Sequence, residues 1–124
     1  DDAARALTAV ERLHASALSW IADLPLAAQG RLDFRIGAHF GPAVISRHGS
    51  ASHQQISAAG DTVNVASRLL EVAKQQHCRV VVTDDLFAAA SATLPPGNVN
   101  PELFTPLTVS IRGRTSPLQI RIRS

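Results

Sequence analysis

The sequence predicts an α/β sandwich, a mixed and mainly antiparallel sheet with helices packed on it. Three observations carry that expectation. Apolar residues recur at helical spacing in two long segments, they alternate or run continuously in several short ones, and the two kinds of segment interleave along the chain. At 124 residues the chain is one domain's worth, with no room for a second unit of ordinary size.

Leu7, Val10, Leu13, Ala17, Ile21 and Leu24 recur at the period of an α-helix, which predicts a first helix over 3–24 with Asp1 and Asp2 at its favourable end. Trp20 is expected on it, partly buried. Gln29 and Gly30 break the pattern. Leu32, Phe34, Ile36, Ala38 and Phe40 then alternate with Arg31, Asp33, Arg35, Gly37 and His39, the period of a half-buried strand. His39 on its polar face reads as structural or interfacial.

Gly41 and Pro42 turn the chain into Ala43-Val44-Ile45, a short strand expected to pair with the first as a hairpin. Ser46 to Gln55 is poor in hydrophobics and holds Gly49, Ser50 and Ser52, so a surface loop is expected. A second long helix follows over 61–76, its apolar side read as Val63, Ala66, Leu70 and Ala73. The β-branched run Val80-Val81-Val82-Thr83 after Arg79 suits a strand covered on both faces. A short helix over 84–90, a connection marked by Pro95, Pro96, Gly97 and Pro101, and a final hairpin of Leu107–Arg112 with Leu118–Ile122 complete the chain.

Composition narrows the function classes. Hydrophobic residues make up 45% and charged residues 18%, which is globular and far from disorder. The net charge of +2 does not indicate nucleic-acid binding, and Arg112, Arg114, Arg121 and Arg123 read as a solvated sheet face. Cys78 is the single cysteine, so no internal disulfide forms, and a cytoplasmic location is expected. No apolar run is long enough to insert in a membrane, although a longer parent could be anchored there. His77 with Cys78, and His48 with His53, lack the further ligands that zinc-like spacing requires, so no metal site is expected from these residues.

The most informative stretch is Gly60-Asp61-Thr62-Val63-Asn64-Val65-Ala66-Ser67-Arg68. Asn64 and Arg68 stand four apart and share a helix face, near the positive end of a helix opened by Gly60 and the small polar residues Asp61 and Thr62. An amide and a guanidinium there suit an anion or a sugar phosphate. As residues alone, the pair also reads as a tie between the helix and a nearby loop, Ser57 as a loop hydroxyl, and Arg114 as a solvated turn residue.

That stretch, together with Arg35-Ile36-Gly37-Ala38-His39-Phe40-Gly41-Pro42, Ser57-Ala58-Ala59, Val80-Val81-Val82-Thr83 and the terminal Arg112-Gly113-Arg114, resembles the class III nucleotidyl cyclases. The resemblance runs over nearly the whole chain in matching order. It implies a cyclase-type, ferredoxin-like sheet and a lyase that converts ATP to 3′,5′-cyclic AMP and pyrophosphate in cyclic-nucleotide signalling. Asn64 would orient the ribose and Arg68 would stabilise charge growing on the α-phosphate. Ser57 would contact the base, and Arg114 would grip the terminal phosphates.

The family's two metal-binding aspartate segments have no counterpart in these residues, so residues 1–124 resemble the C-terminal two thirds of a cyclase domain with the N-terminal strands missing. Magnesium or manganese ligands are accordingly expected outside this chain, and the site is expected to form between two subunits, as a homodimer or with a second cyclase domain. Alone, the chain is expected to be inactive. An exposed sheet edge and apolar face are expected to drive dimerisation, strand exchange or poor solubility. A non-catalytic cyclase-homology module that binds nucleotide, and a guanylate cyclase, are the alternatives.

Overall fold

The computed structural model describes residues 2–42, 44–50, 53–95, 97 and 99–124, with the backbone alone at 44, 46–48, 50 and 53–59. Helix α1 (Asp2–Ala22) and the short α2 (Leu26–Gln29) lead to β1 (Ile36–Ala38). The strands β2 (Val44–Ser50) and β3 (His53–Ala59) follow, then α3 (Asp61–Gln75), β4 (Val80–Thr83) and α4 (Asp84–Ser91). A 3-10 turn (Pro101–Leu103), β5 (Thr105–Val109) and β6 (Leu118–Arg123) end the described chain.

Four strands form one sheet in the order β1-β4-β6-β5. β1 runs parallel to β4, pairing Ile36 with Val80, while β4 with β6 and β5 with β6 are antiparallel. The expected mixed, mainly antiparallel sheet with packed helices is therefore present. The run at β4 is buried on both sides, as its β-branched composition predicts: Val80 and Val82 face one apolar cluster and Val81 the other. On the first side pack Leu7 and Val10 of α1, Leu86 and Phe87 of α4, and Phe104. On the second pack Val65, Leu69, Val72 and Ala73 of α3 with Ile111, Leu118 and Ile120.

Several expectations change. The strand expected over 32–40 forms only at 36–38, because Asp33 accepts a hydrogen bond from the Phe34 N–H at 2.8 Å and pairs with Arg79 at 2.9 Å. Such a local bond offers the backbone an alternative to the ladder. Arg79 beside it holds the Asp33 carboxyl below the usual carboxylate range.

The expected loop at 46–55 is instead most of a second, two-stranded sheet, in which β2 pairs with β3 and not with β1. Its register runs from Val44 opposite Ala59 to Ser50 opposite His53. Ile45, whose side chain is described, is 65% exposed. Here the backbone ladder makes the strands. The side chains of His48 and His53 lie outside the described residues.

Trp20 is 66% exposed, not partly buried, because α1 packs through Ala3, Leu7, Val10 and His14, and Trp20 lies off that face. The core face of α3 is rotated from the one expected: Val65, Leu69, Val72 and Ala73 are buried while Leu70 is exposed. Of the four C-terminal arginines, Arg112 is solvated as expected, its side chain 77% exposed, whereas Arg114, Arg121 and Arg123 are largely covered. Arg112 pairs with Glu71, Arg114 with Asp61, Arg121 with Asp84 and Arg123 with Glu11. Arg121 also lies 4.2 Å above the Phe87 ring, which covers this part of β6 from the helix side.

A glycine in β1 sets how closely α3 approaches the sheet. A Cβ on Gly37 would stand 3.0 Å from both the Ala66 carbonyl oxygen and Leu69 Cβ. Glycine is what lets α3 lie down on β1, and it thereby fixes the level at which the helix begins.

Candidate functional site

The site is built where β3 runs directly into α3. Gly60 alone separates Ala59 from Asp61, and its φ of 123° lies in the region that favours glycine. That turn starts the helix: the Asn64 N–H donates to the Gly60 carbonyl at 3.2 Å. Neither Asp61 nor Thr62 caps it, since Gly60 is the N-cap and no side-chain cap bond forms. The amide groups of the first turn are left to other acceptors.

Asn64 and Arg68, one turn apart, rise on the flank of α3 beside the buried Val65 and Leu69. The segment between β5 and β6 comes over them from the other side. Ile111 is buried beneath α3, Gly113 has a φ of 91°, and the Arg114 N–H donates to the Ile111 carbonyl at 3.1 Å. This tight turn rests against Arg68: a Cβ on Gly113 would lie 4.0 Å from Arg68 Nη2. The sequence expected a strand through Arg112, but β5 ends at Val109 and the turn takes its place.

The result is a cleft of about 70 Å³ lined by Asp61, Asn64, Val65, Arg68, Ile111 and the Arg112–Arg114 turn. It opens beside a larger one of about 310 Å³, lined by Asn64, Ser67, Arg68, Glu71 and Arg112. Three of the four residues singled out from sequence, Asn64, Arg68 and Arg114, thus meet at one place. The fourth, Ser57, lies in β3 opposite Ser46, three residues before Gly60, and its side chain lies outside the described residues.

Charge is unevenly matched here. Arg112 is 3.6 Å from Glu71 and Arg114 is 3.0 Å from Asp61. Arg68, half-buried, has no ion pair or side-chain hydrogen bond among the described residues, and neither has the side chain of Asn64. Three guanidiniums against two carboxylates, at the positive end of a helix, leave a net attraction for an anion.

The pairing of Asp61 with Arg114 and the backing by Gly113 were not foreseen. The only sequence signal for them is the Arg-Gly-Arg triplet, because the pair spans 53 residues. Among the described residues no three His, Cys, Asp or Glu side chains gather to hold a metal ion. Asp61, the one carboxylate among the described residues that line the smaller cleft, is engaged by Arg114, so that lining does not fit a divalent ion. Among the same residues no helix is long and apolar enough to cross a membrane.

Comparison with known proteins gives this geometry a context. The family described as the adenylate and guanylate cyclase catalytic domain matches residues 4–94. Among solved structures, the adenylyl cyclase CyaB from P. aeruginosa is similar over 99% of this chain and 59% of its own, at 18% identity and a TM-score of 0.60. A bacterial light-regulated adenylyl cyclase is similar over 68% of this chain and 22% of its own, at 18% identity and a TM-score of 0.48. The chain thus spans less than two thirds of either solved relative. No curated protein matches it.

Proposed function

The chain belongs to the adenylate and guanylate cyclase catalytic-domain family, and on that premise we propose that it supplies one half of an adenylate cyclase site. The reaction converts ATP to 3′,5′-cyclic AMP and pyrophosphate, in cytoplasmic cyclic-nucleotide signalling. The observation that carries this reading is Arg68: it is half-buried, without a counter-ion among the described residues, one turn from Asn64 and across one cleft from Arg114. A guanidinium held without a carboxylate partner is kept for an anion that arrives.

In the reaction the ribose 3′-oxygen forms a bond to the α-phosphorus as the bond from that phosphorus to the bridging oxygen of pyrophosphate breaks. Arg68 donates to the α-phosphate oxygens, where its fixed fork of N–H groups stabilises the charge that grows. Asn64, one turn nearer the helix start, hydrogen-bonds the ribose and holds the 3′-hydroxyl in line. Arg114 takes the terminal phosphates, and Ser57 contacts the base. The Mg²⁺ or Mn²⁺ ligands are proposed to lie outside these residues, on a second cyclase subunit or domain that carries the aspartates. CyaB is an adenylyl cyclase, which supports ATP over GTP.

The test is complementation. The chain alone, with ATP and Mg²⁺ or Mn²⁺, is expected to yield no cyclic AMP. Mixed with a cyclase subunit that keeps its metal-binding aspartates but lacks the Asn and Arg, it is expected to restore synthesis, and Arg68→Ala is expected to abolish that gain. No recovery despite demonstrated association would overturn the reading. Recovery with GTP in place of ATP would move it to a guanylate cyclase, and nucleotide binding without recovery would favour a regulatory module.

A further inference from the structure

Arg114, assigned above to the terminal phosphates, already has an anionic partner. Its Nη1 donates to Asp61 Oδ2 at 3.0 Å, across 53 residues of sequence. Asp61 opens α3, so this carboxylate stands at the helix end where phosphate oxygens would be received. Both side chains line the same cleft as Asn64 and Arg68. Asp61 makes no capping bond to its own helix, and its hydrogen bond to Arg114 is the contact that holds it.

A carboxylate oxygen and a phosphate oxygen compete for the same guanidinium donors. We infer that Asp61 is a built-in competitor for Arg114 that the terminal phosphates must displace, and that recaptures Arg114 as pyrophosphate departs. This rests on the reading that Arg114 grips those phosphates. The exposures fit an exchange of this kind: the Arg114 side chain is 32% exposed and that of Asp61 75%, so the carboxylate swings into water when displaced. A pair this open is weak, and its release shifts an equilibrium by less than about fivefold. Removing the Asp61 charge also relieves its repulsion of an incoming polyanion, which adds to the effect.

Asp61 is thereby a positioning residue with two consequences. It keeps the guanidinium turned toward the cleft, in register with Arg68, and it lowers the hold on the leaving pyrophosphate. Asp61→Asn keeps the size and the hydrogen-bonding oxygen but removes the charge.

The experiment is calorimetric titration of the 124-residue chain with inorganic pyrophosphate at low ionic strength, for the wild type, D61N, R114A and the D61N/R114A double variant. D61N is expected to bind about three- to tenfold more tightly than wild type. R114A is expected to bind more weakly, and the D61N gain is expected to vanish in its background. Thermal midpoints measured alongside separate this from a change in helix stability, which would lower the midpoint of D61N in both backgrounds without tightening the ligand.

An unchanged or weaker D61N, or a gain that survives in R114A, overturns the inference. If R114A binds as well as wild type, the phosphate role of Arg114 fails. If R114A weakens binding but D61N does not strengthen it, only the competition fails. Absence of binding in all four proteins overturns both.

Discussion

His39 Nδ1 lies 2.7 Å from Thr83 Oγ1, which joins the segment after β1 to the residue that ends β4 and caps α4. Thr83 is fully buried, and its hydroxyl also accepts from the Leu86 N–H at 3.4 Å. One side chain thus serves both the sheet edge and the helix start, on the side of the fold where α3 begins.

This contact has a pH signature. Burial pushes His39 below its ordinary value of 6.5, with Arg114 pushing the same way and Asp85 and Asp61 opposing. The folded chain therefore favours neutral His39, while the unfolded chain takes up a proton near the ordinary value. The stability owed to neutral His39 is complete above about pH 6.5, falls as pH drops from there toward the lower folded value, and levels off below it. His39→Asn keeps a hydrogen-bonding group near the Nδ1 position but does not titrate. Urea midpoints measured between about pH 8 and pH 5 should slope less in this variant than in the wild type. Equal slopes would show that His39 is not the source.

Gly37→Ala should destabilise by about 1–3 kcal/mol, since the new methyl meets the Ala66 carbonyl and Leu69 Cβ at 3.0 Å and neither can swing away. Gly30→Ala is the control: nothing lies within 4 Å of a Cβ there and its φ is −79°, so the change should be neutral or stabilising by a few tenths of a kcal/mol. Chemical denaturation of the two variants reads the difference. A Gly37→Ala protein as stable as wild type would mean that α3 does not rest on β1 as described.

Arg68→Ala separates binding from folding. With no ionic partner among the described residues, its loss should change stability by less than about 0.5 kcal/mol. Triphosphate affinity should fall about ten- to a hundredfold, the scale of a charge-assisted hydrogen bond, and Arg68→Lys should recover only part of it. Thermal melting and nucleotide titration on the same preparations supply both numbers. A large loss of stability would mean that Arg68 serves the fold.

Arg123 and Glu11 form an ion pair with side chains 19% and 22% exposed, linking β6 to α1. Removing either partner should cost about 2 kcal/mol or more, because the remaining charge stays largely out of water. Replacing both with apolar residues of similar size should cost less than the sum of the single changes. A double-mutant cycle measures the coupling, and additive effects would show that the pair contributes nothing beyond its parts.

The parts of this molecule that were readable in its sequence are those where one local rule acts alone. β4 was legible because four successive residues suit burial on both faces, and α3 because Gly60 opens it and apolar residues recur along it. Asn64 and Arg68 were readable as a pair because helical geometry alone brings them together.

The hairpin of β2 and β3 was not legible. Its register comes from backbone pairing between Ser46 and Ser57 or Ser50 and His53, and polar side chains at those positions carry no alternation to reveal it. Contacts between distant segments were equally hidden. Nothing near Arg121 announces Asp84, and nothing near Arg114 announces Asp61, so two arginines that looked solvated form specific ion pairs. The base contact proposed for Ser57 rests on family resemblance alone.

β6, the last strand in chain order, lies inside the sheet, hydrogen-bonded to β4 on one side and β5 on the other. During synthesis, β1, β4 and β5 emerge first but cannot be joined into one sheet until residues 118–123 arrive. Until then the apolar cluster beneath α3, which also holds Val65, Leu69 and Ile111, lacks Leu118 and Ile120. Assembly of the cleft that holds the guanidinium groups proposed to act on phosphate is thereby coupled to the insertion of β6 between β4 and β5.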